Sequence, residues 1–214
     1  MDEMKRLLVV GDSFMQRDPD FPGQHWSEML SEYEVINHAQ SGMSNAIIAY
    51  NLWQGLEHKP DAVISGWTMP DRLEFANDEP TPMSHEPPYR WLSNGHVQKD
   101  PDRSMAVRYY QATTCSDMME IKSYLMVRCC LVELQRRNIA FAFVLNGLSN
   151  NPAKSLHFWN HLMLDDFRSH EIPLNLATSG MFKPCPGYHV DSVEWQSGFA
   201  RHCRHILEKQ YDKR

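Results

Sequence analysis

Apolar residues along this chain fall into short unbroken runs, separated by longer stretches in which apolar and polar positions alternate with a helical period. RLLVVG (6–11), YEVINH (33–38), DAVISGW (61–67), IAFAFVLN (139–146) and the weaker IPLNLA (172–177) are the runs. Their length, their β-branched and aromatic content and the turn residues that bound them predict five strands buried on both faces. The intervening stretches predict helices. HWSEMLSE (25–32) is short, and SNAIIAYNLWQGLEHK (44–59) opens on two good cap residues, Ser44 and Asn45, and stops before Pro60. In CSDMMEIKSYLMVRCCLVELQRRN (115–138), Met118, Ile121, Leu125 and Val132 share one face, which is the expected core stripe. SLHFWNHLMLDDFRSH (155–170) is amphipathic. VEWQSGFARHCRHILEKQY (193–211) gathers Phe199, Cys203, Ile206 and Leu207.

Strand and helix alternate almost throughout, which predicts an α/β protein: a three-layer α/β/α sandwich around a mostly parallel, flavodoxin-like five-stranded sheet. No internal repeat interrupts it, and residues 1–214 are expected to form a single domain. One segment breaks the rhythm. Residues 76–108 carry five prolines and no apolar period, and they follow the third strand. A stretch of this kind is either a lid over a site on that rim of the sheet or a surface excursion without a chemical role.

Composition narrows the classes. Hydrophobic residues make up 42% of the chain and charged residues 22%, enough for a packed core. A net charge of −6 argues against a general nucleic-acid binder. The five cysteines are odd in number, with no C-x-x-C pair, so a disulfide framework is not expected and a reducing compartment is. The first apolar run is too short for a signal peptide, and no run approaches a membrane span. The expected location is the cytoplasm. The sequence says nothing of oligomeric state.

In a parallel α/β sheet, ligands bind beyond the carboxyl ends of the strands. Gly11-Asp12-Ser13 follows the first strand, Gly42 follows the second just before a helix, and Gly66-Trp67-Thr68 follows the third. His189 stands in CPGYHVDSVEW before the last helix. A hydroxyl, a glycine amide, a short polar side chain and an imidazole on one rim are the parts of an acyl-transfer site: nucleophile, oxyanion donors and general base. Each also has a plainer reading. Ser13 suits a helix cap or turn, Gly42 a turn, Thr68 a hydroxyl bonded to backbone, and His189 is one of eleven histidines. Arg72 suits an anionic substrate group, or an ion pair with Asp71 or Glu74. Trp67, Tyr89 and Trp91 suit a pocket wall or the core. His157, His161 and Asp165 have a metal-ligand spacing but no fourth partner, so no metal site is assigned. The G-x-S-x-G, P-loop, G-x-G-x-x-G and H-E-x-x-H motifs do not occur.

With GDSF at the first strand end, Gly42 in SGMSN, Gly66-Trp67-Thr68 after strand three and His189 before the last helix, the chain resembles the SGNH hydrolases, also called GDSL esterases and lipases. The blocks come in family order across residues 8–203. ISGWTMPDRLEF and GYHVDSVEWQSGFA look most like SGNH-like proteins of tailed bacteriophages, which would make the location a host cytoplasm. The resemblance implies that Ser13 is the nucleophile and His189 the base. It implies that the oxyanion hole is formed by the Ser13 and Gly42 amides with the side chain at position 68. No cofactor is implied, and the implied substrate is a small-molecule, glycan or lipid ester, such as an acetyl or acyl ester. Trp67 and Arg72 are the candidate substrate-binding residues. Two departures stand out. The family's Gly-x-Asn is Gly66-Trp67-Thr68 here, and its Asp-x-x-His is Pro186-Gly187-Tyr188-His189, with no Asp-x-x-His elsewhere. The expected activity is ester hydrolysis by a Ser-His dyad or degenerate triad. The alternative is a catalytically weak or silent SGNH-like fold serving as a binding or assembly module.

Overall fold

The computed structural model describes residues 4–17, 22–70, 72–76, 89–92, 116–145, 163–172 and 193–212. In chain order its regular elements are strand β1 (Lys5–Val10), a 3-10 turn (Trp26–Met29), β2 (Tyr33–Asn37), helix α1 (Asn45–Gly55) and β3 (Ala62–Gly66). There follow β4 (Leu73–Ala76), β5 (Tyr89–Leu92), α2 (Ser116–Arg136), β6 (Ala140–Val144), a 3-10 helix (Asp165–His170) and α3 (Val193–Tyr211). The central sheet runs β2-β1-β3-β6 and every pairing in it is parallel. Four of the five apolar runs of the sequence are its strands; β1, β3 and β6 are largely buried as expected, whereas the edge strand β2 is only partly buried, with Glu34 exposed.

Side chains alternate across the sheet with the two-residue period of a strand, and each face is covered. Leu8, Val10, Val63, Phe141 and Phe143 pack beneath α1 and α2, against Ile48, Leu52, Leu131 and Leu134. Leu7, Val9, Ala62, Ile64 and Val144 pack on the other face, against Trp26 and the α3 residues Phe199, Cys203 and Leu207. The layers are therefore α/β/α, as the alternation predicted. At the first helix, Ser44 is the cap, its side chain accepting the Ala46 N–H.

Three expectations need correction. The sheet has four described strands, not five. Where the fifth was expected, Glu171 forms a single parallel bridge to Phe143 and the Ile172 N–H donates to the Phe143 carbonyl at 2.7 Å; residues 173–177 lie outside the described residues. The stripe chosen for α2 faces solvent: Met118, Leu125 and Val132 are exposed, and the buried face is Met119, Tyr124, Val127, Cys130, Leu131 and Leu134. The segment 76–108 is not wholly irregular, since β4 and β5 pair as an antiparallel ribbon with Ala76 opposite Tyr89 and Leu73 opposite Leu92. The rest of that segment lies outside the described residues.

Candidate active site

Ser13 occupies a turn one residue beyond Asp12, at the carboxyl end of β1, and it is half-buried. The turn is built from the backbone outward. Gly11 has φ +154°, and a side chain there would drive into Met15 Cγ at 2.3 Å and the Gly66 carbonyl at 2.9 Å. Only glycine lets β1 and β3 end this close together. Asp12 is buried. Its Oδ1 accepts the Phe14 N–H at 3.2 Å, and its main-chain carbonyl accepts the Met15 N–H at 3.0 Å. The Ser13 hydroxyl makes no hydrogen bond among the described residues.

The segment after β2 is laced to this turn. The Gln40 N–H donates to the Gly11 carbonyl at 3.1 Å, and Asn37 Nδ2 donates to the Met15 carbonyl at 3.0 Å. Gly42 then adopts φ +80°, a left-handed conformation that favours glycine, and delivers the chain to the α1 cap. The third segment joins through Asn45, the first residue of α1. Its buried carboxamide accepts the Thr68 N–H at 2.9 Å and donates to the Thr68 carbonyl at 3.0 Å and to Ser123 Oγ at 3.1 Å. Thr68 is thus held by both of its backbone groups, and its hydroxyl is bonded to no described residue. Asn45 had been expected only as a cap. No local sequence signal marks the clamp, because its partner is 23 residues away.

Arg72 reaches back across the same rim. One of its nitrogens, Nη1, lies 3.3 Å from Asp12 Oδ2 and 3.3 Å from the Met43 carbonyl. Of the partners expected from sequence, Asp71 and the Glu74 side chain lie outside what is described; among the described residues Arg72 pairs with Asp12 of the Gly-Asp-Ser segment. Trp67 is fully buried in the core, with its indole N–H donating to Ser65 Oγ at 3.1 Å. Of the two readings the sequence allowed, pocket wall or core, the described residues place it in the core cluster with Val10, Met43 and Leu145. The structure therefore brings Ser13, Gly42 and Thr68 onto one rim. His189 and Pro186 lie outside the described residues, as do His157 and His161.

A residue the sequence reading passed over sits beside the Ser13 turn. His25 is buried, and its Nδ1 accepts the Ser27 N–H at 3.3 Å while lying 2.8 Å from Ser27 Oγ. Burial foremost, then the positive charge of Arg17, lowers its pKa to about 4, against an opposing pull from the Phe14 backbone. The ring is neutral near pH 7. A cleft of about 330 Å³, lined by Gln135, Ile139, Phe141, His170 and Lys209 among others, lies at the opposite end of the sheet, around the start of β6. Among the described residues no cluster of metal-ligating side chains forms, and no helix is long and apolar enough to cross a membrane.

Neither a protein-family profile nor any curated protein sequence matches the chain. Solved structures do. TesA superposes with a TM-score of 0.56 at 13% identity, covering 96% of this chain and 99% of its own. A protein of the lipolytic G-D-S-L family from Desulfitobacterium hafniense DCB-2 gives 0.55 at 13% identity, covering 95% and 99%. The fold is shared with GDSL-family proteins. The psychrotrophic esterase EstA from Pseudoalteromonas sp., in a structure inhibited by monoethylphosphonate, gives 0.55 at 12% identity, covering 98% of this chain and 100% of its own. The correspondence thus runs over nearly the whole of both chains, at an identity so low that it speaks for the fold.

Proposed function

We propose that this protein is a serine esterase of the SGNH type. One observation carries the reading: the three segments bearing Ser13, Gly42 and Thr68 are stitched together at the carboxyl ends of β1, β2 and β3, in a fold shared with esterases. In this mechanism Ser13 Oγ attacks the ester carbonyl carbon while His189 takes its proton. The Ser13 and Gly42 amides and the Thr68 hydroxyl donate to the oxyanion. Collapse of the tetrahedral intermediate expels the alcohol, which leaves with the proton from His189. Water, deprotonated by His189, then attacks acyl-Ser13, releases the carboxylic acid and restores the hydroxyl.

The chemistry of the departures supports slow turnover. A Thr hydroxyl has shorter reach than an Asn amide, and loss of one oxyanion donor costs on the order of 10²–10³ in rate. Pro186 stands where the family has the Asp that orients and charges the base, and it offers no carboxylate. These same two positions favour a second reading, a silent fold acting as a binding or assembly module. The phage-like segments ISGWTMPDRLEF and GYHVDSVEWQSGFA support a host cytoplasm as its setting under either reading.

A fluorophosphonate probe separates the two, because it forms a stable bond only with an activated serine; EstA, which shares this fold, has a structure inhibited by monoethylphosphonate. The esterase reading expects covalent labelling of Ser13 and hydrolysis of a short-chain activated ester. Ser13→Ala should abolish both without a large change in melting temperature, and His189→Ala should remove nearly all turnover. Activity unchanged in Ser13→Ala would overturn the nucleophile assignment. An unlabelled, inactive wild type would favour the silent module.

A further inference from the structure

We infer that Arg72 is a positioning residue: its guanidinium, bonded from one nitrogen to the Asp12 carboxylate and to the Met43 carbonyl, fixes the separation of the two turns that carry the Ser13 and Gly42 N–H groups. Its role in the chemistry rests on the esterase reading; its role as a strap rests on geometry alone.

Asp12 and Met43 each lie one residue from a proposed oxyanion donor, and they stand on different segments, one after β1 and one after β2. Nη1 carries two hydrogens, so a single nitrogen serves both acceptors at 3.3 Å each. Neither end of the strap is free to drift. Asp12 Oδ1 is already held by the Phe14 N–H, and Met43 precedes the Ser44 cap of α1. The Asp12 carboxylate is almost wholly buried and the Arg72 side chain is 13% exposed, so the pair is shielded from the solvent that weakens surface ion pairs. A buried ion pair is a poor source of net stability, and one well-attested reason to keep one is to fix a particular arrangement. Oxyanion donors require such fixing. Groups in a constellation of this kind must be held within about 0.5 Å, and a misplacement of about 1 Å costs on the order of 10²-fold in rate. Nη1 of Arg72 is therefore engaged inside the site.

Three variants test this: Arg72→Lys, Arg72→Met, and the double variant Asp12→Asn/Arg72→Met. The double variant keeps an acceptor for the Phe14 N–H without stranding a buried charge, and so guards against a single variant that fails to fold. The first readout is amide hydrogen exchange in the folded protein. Residues 12–15 and 42–45 should exchange about tenfold or more faster in the double variant, with β1, β3 and β6 unchanged, and Arg72→Lys should recover part of the protection. The second is kinetic: kcat on a short activated ester and the rate of fluorophosphonate labelling should fall about 10- to 100-fold with KM little changed, again with partial rescue by Lys. Unchanged exchange in either turn, or a rise spread evenly over the whole chain, overturns the strap. If the wild type neither turns over nor labels, the esterase reading falls, and the exchange data alone decide the strap.

Discussion

His25 lies buried beside the turn that carries Ser13, and its titration couples the site to the stability of the whole fold. Its pKa is lowered from an ordinary 6.5 to about 4, by burial first and by Arg17 second. The unfolded chain therefore binds this proton more tightly than the folded one. The stabilisation is fully present above about pH 6.5 and is lost as pH falls toward and through 4. A difference of this size corresponds to about 3 kcal/mol. His25→Asn keeps a side-chain acceptor for the Ser27 N–H and removes the titrating ring. Urea denaturation at pH 7 and pH 4.5 should show a distinctly smaller loss of stability in this variant than in the wild type. Equal losses would mean that His25 is not among the groups driving acid sensitivity.

Helix α2 shows what hydrophobic periodicity can and cannot decide. Two stripes run along it. Met118, Leu125 and Val132 recur every seven residues and face solvent. The buried face is interrupted by Glu120 and Ser123, and its polar members broke the pattern that the sequence reading relied on. Ser123 is buried because its hydroxyl takes a hydrogen bond from Asn45, a partner 78 residues distant in sequence. Leu125→Gln should change stability by no more than about 0.5 kcal/mol, whereas Leu131→Ala should cost about 2–5 kcal/mol. Chemical denaturation of the two variants checks this, and a large loss in Leu125→Gln would show that the exposed stripe is covered in solution. By contrast the strands and α3 were legible. Continuous apolar runs have one physical explanation when they alternate with helices, and Phe199, Cys203, Ile206 and Leu207 are all buried as their spacing implied. At the candidate site, Gly11 and Gly42 were legible because the backbone itself requires them. The Arg72–Asp12 pair and the Asn45 clamp were not, because long-range polar pairs leave no period in the sequence.

At the scale of the molecule, the two faces of the sheet are closed by different parts of the chain. One is covered by α1 and α2; the other depends on α3. The last helix is tied in by more than apolar contact. Gln196 accepts the Trp26 N–H at 2.8 Å, Arg204 holds the Glu32 carboxylate at 2.6 and 3.0 Å, and Gln210 brackets Phe141 on β6 by bonds to its N–H and carbonyl at 3.0 and 2.7 Å. A chain ending at residue 192 should lose cooperative thermal unfolding and bind the dye ANS strongly. A truncated protein that melts cooperatively near the wild-type temperature would show that this face closes without α3. The topology also sets a schedule for biosynthesis. β1, made first, sits between β2 and β3 and can find both partners early. Its Leu7 and Val9 face nonetheless waits for the final helix, which trails the end of β6 by roughly 3–13 s of translation at ordinary ribosomal speeds. During that interval the nascent chain holds a formed but half-dressed sheet, an apolar surface on offer to any chaperone stationed at the ribosomal exit.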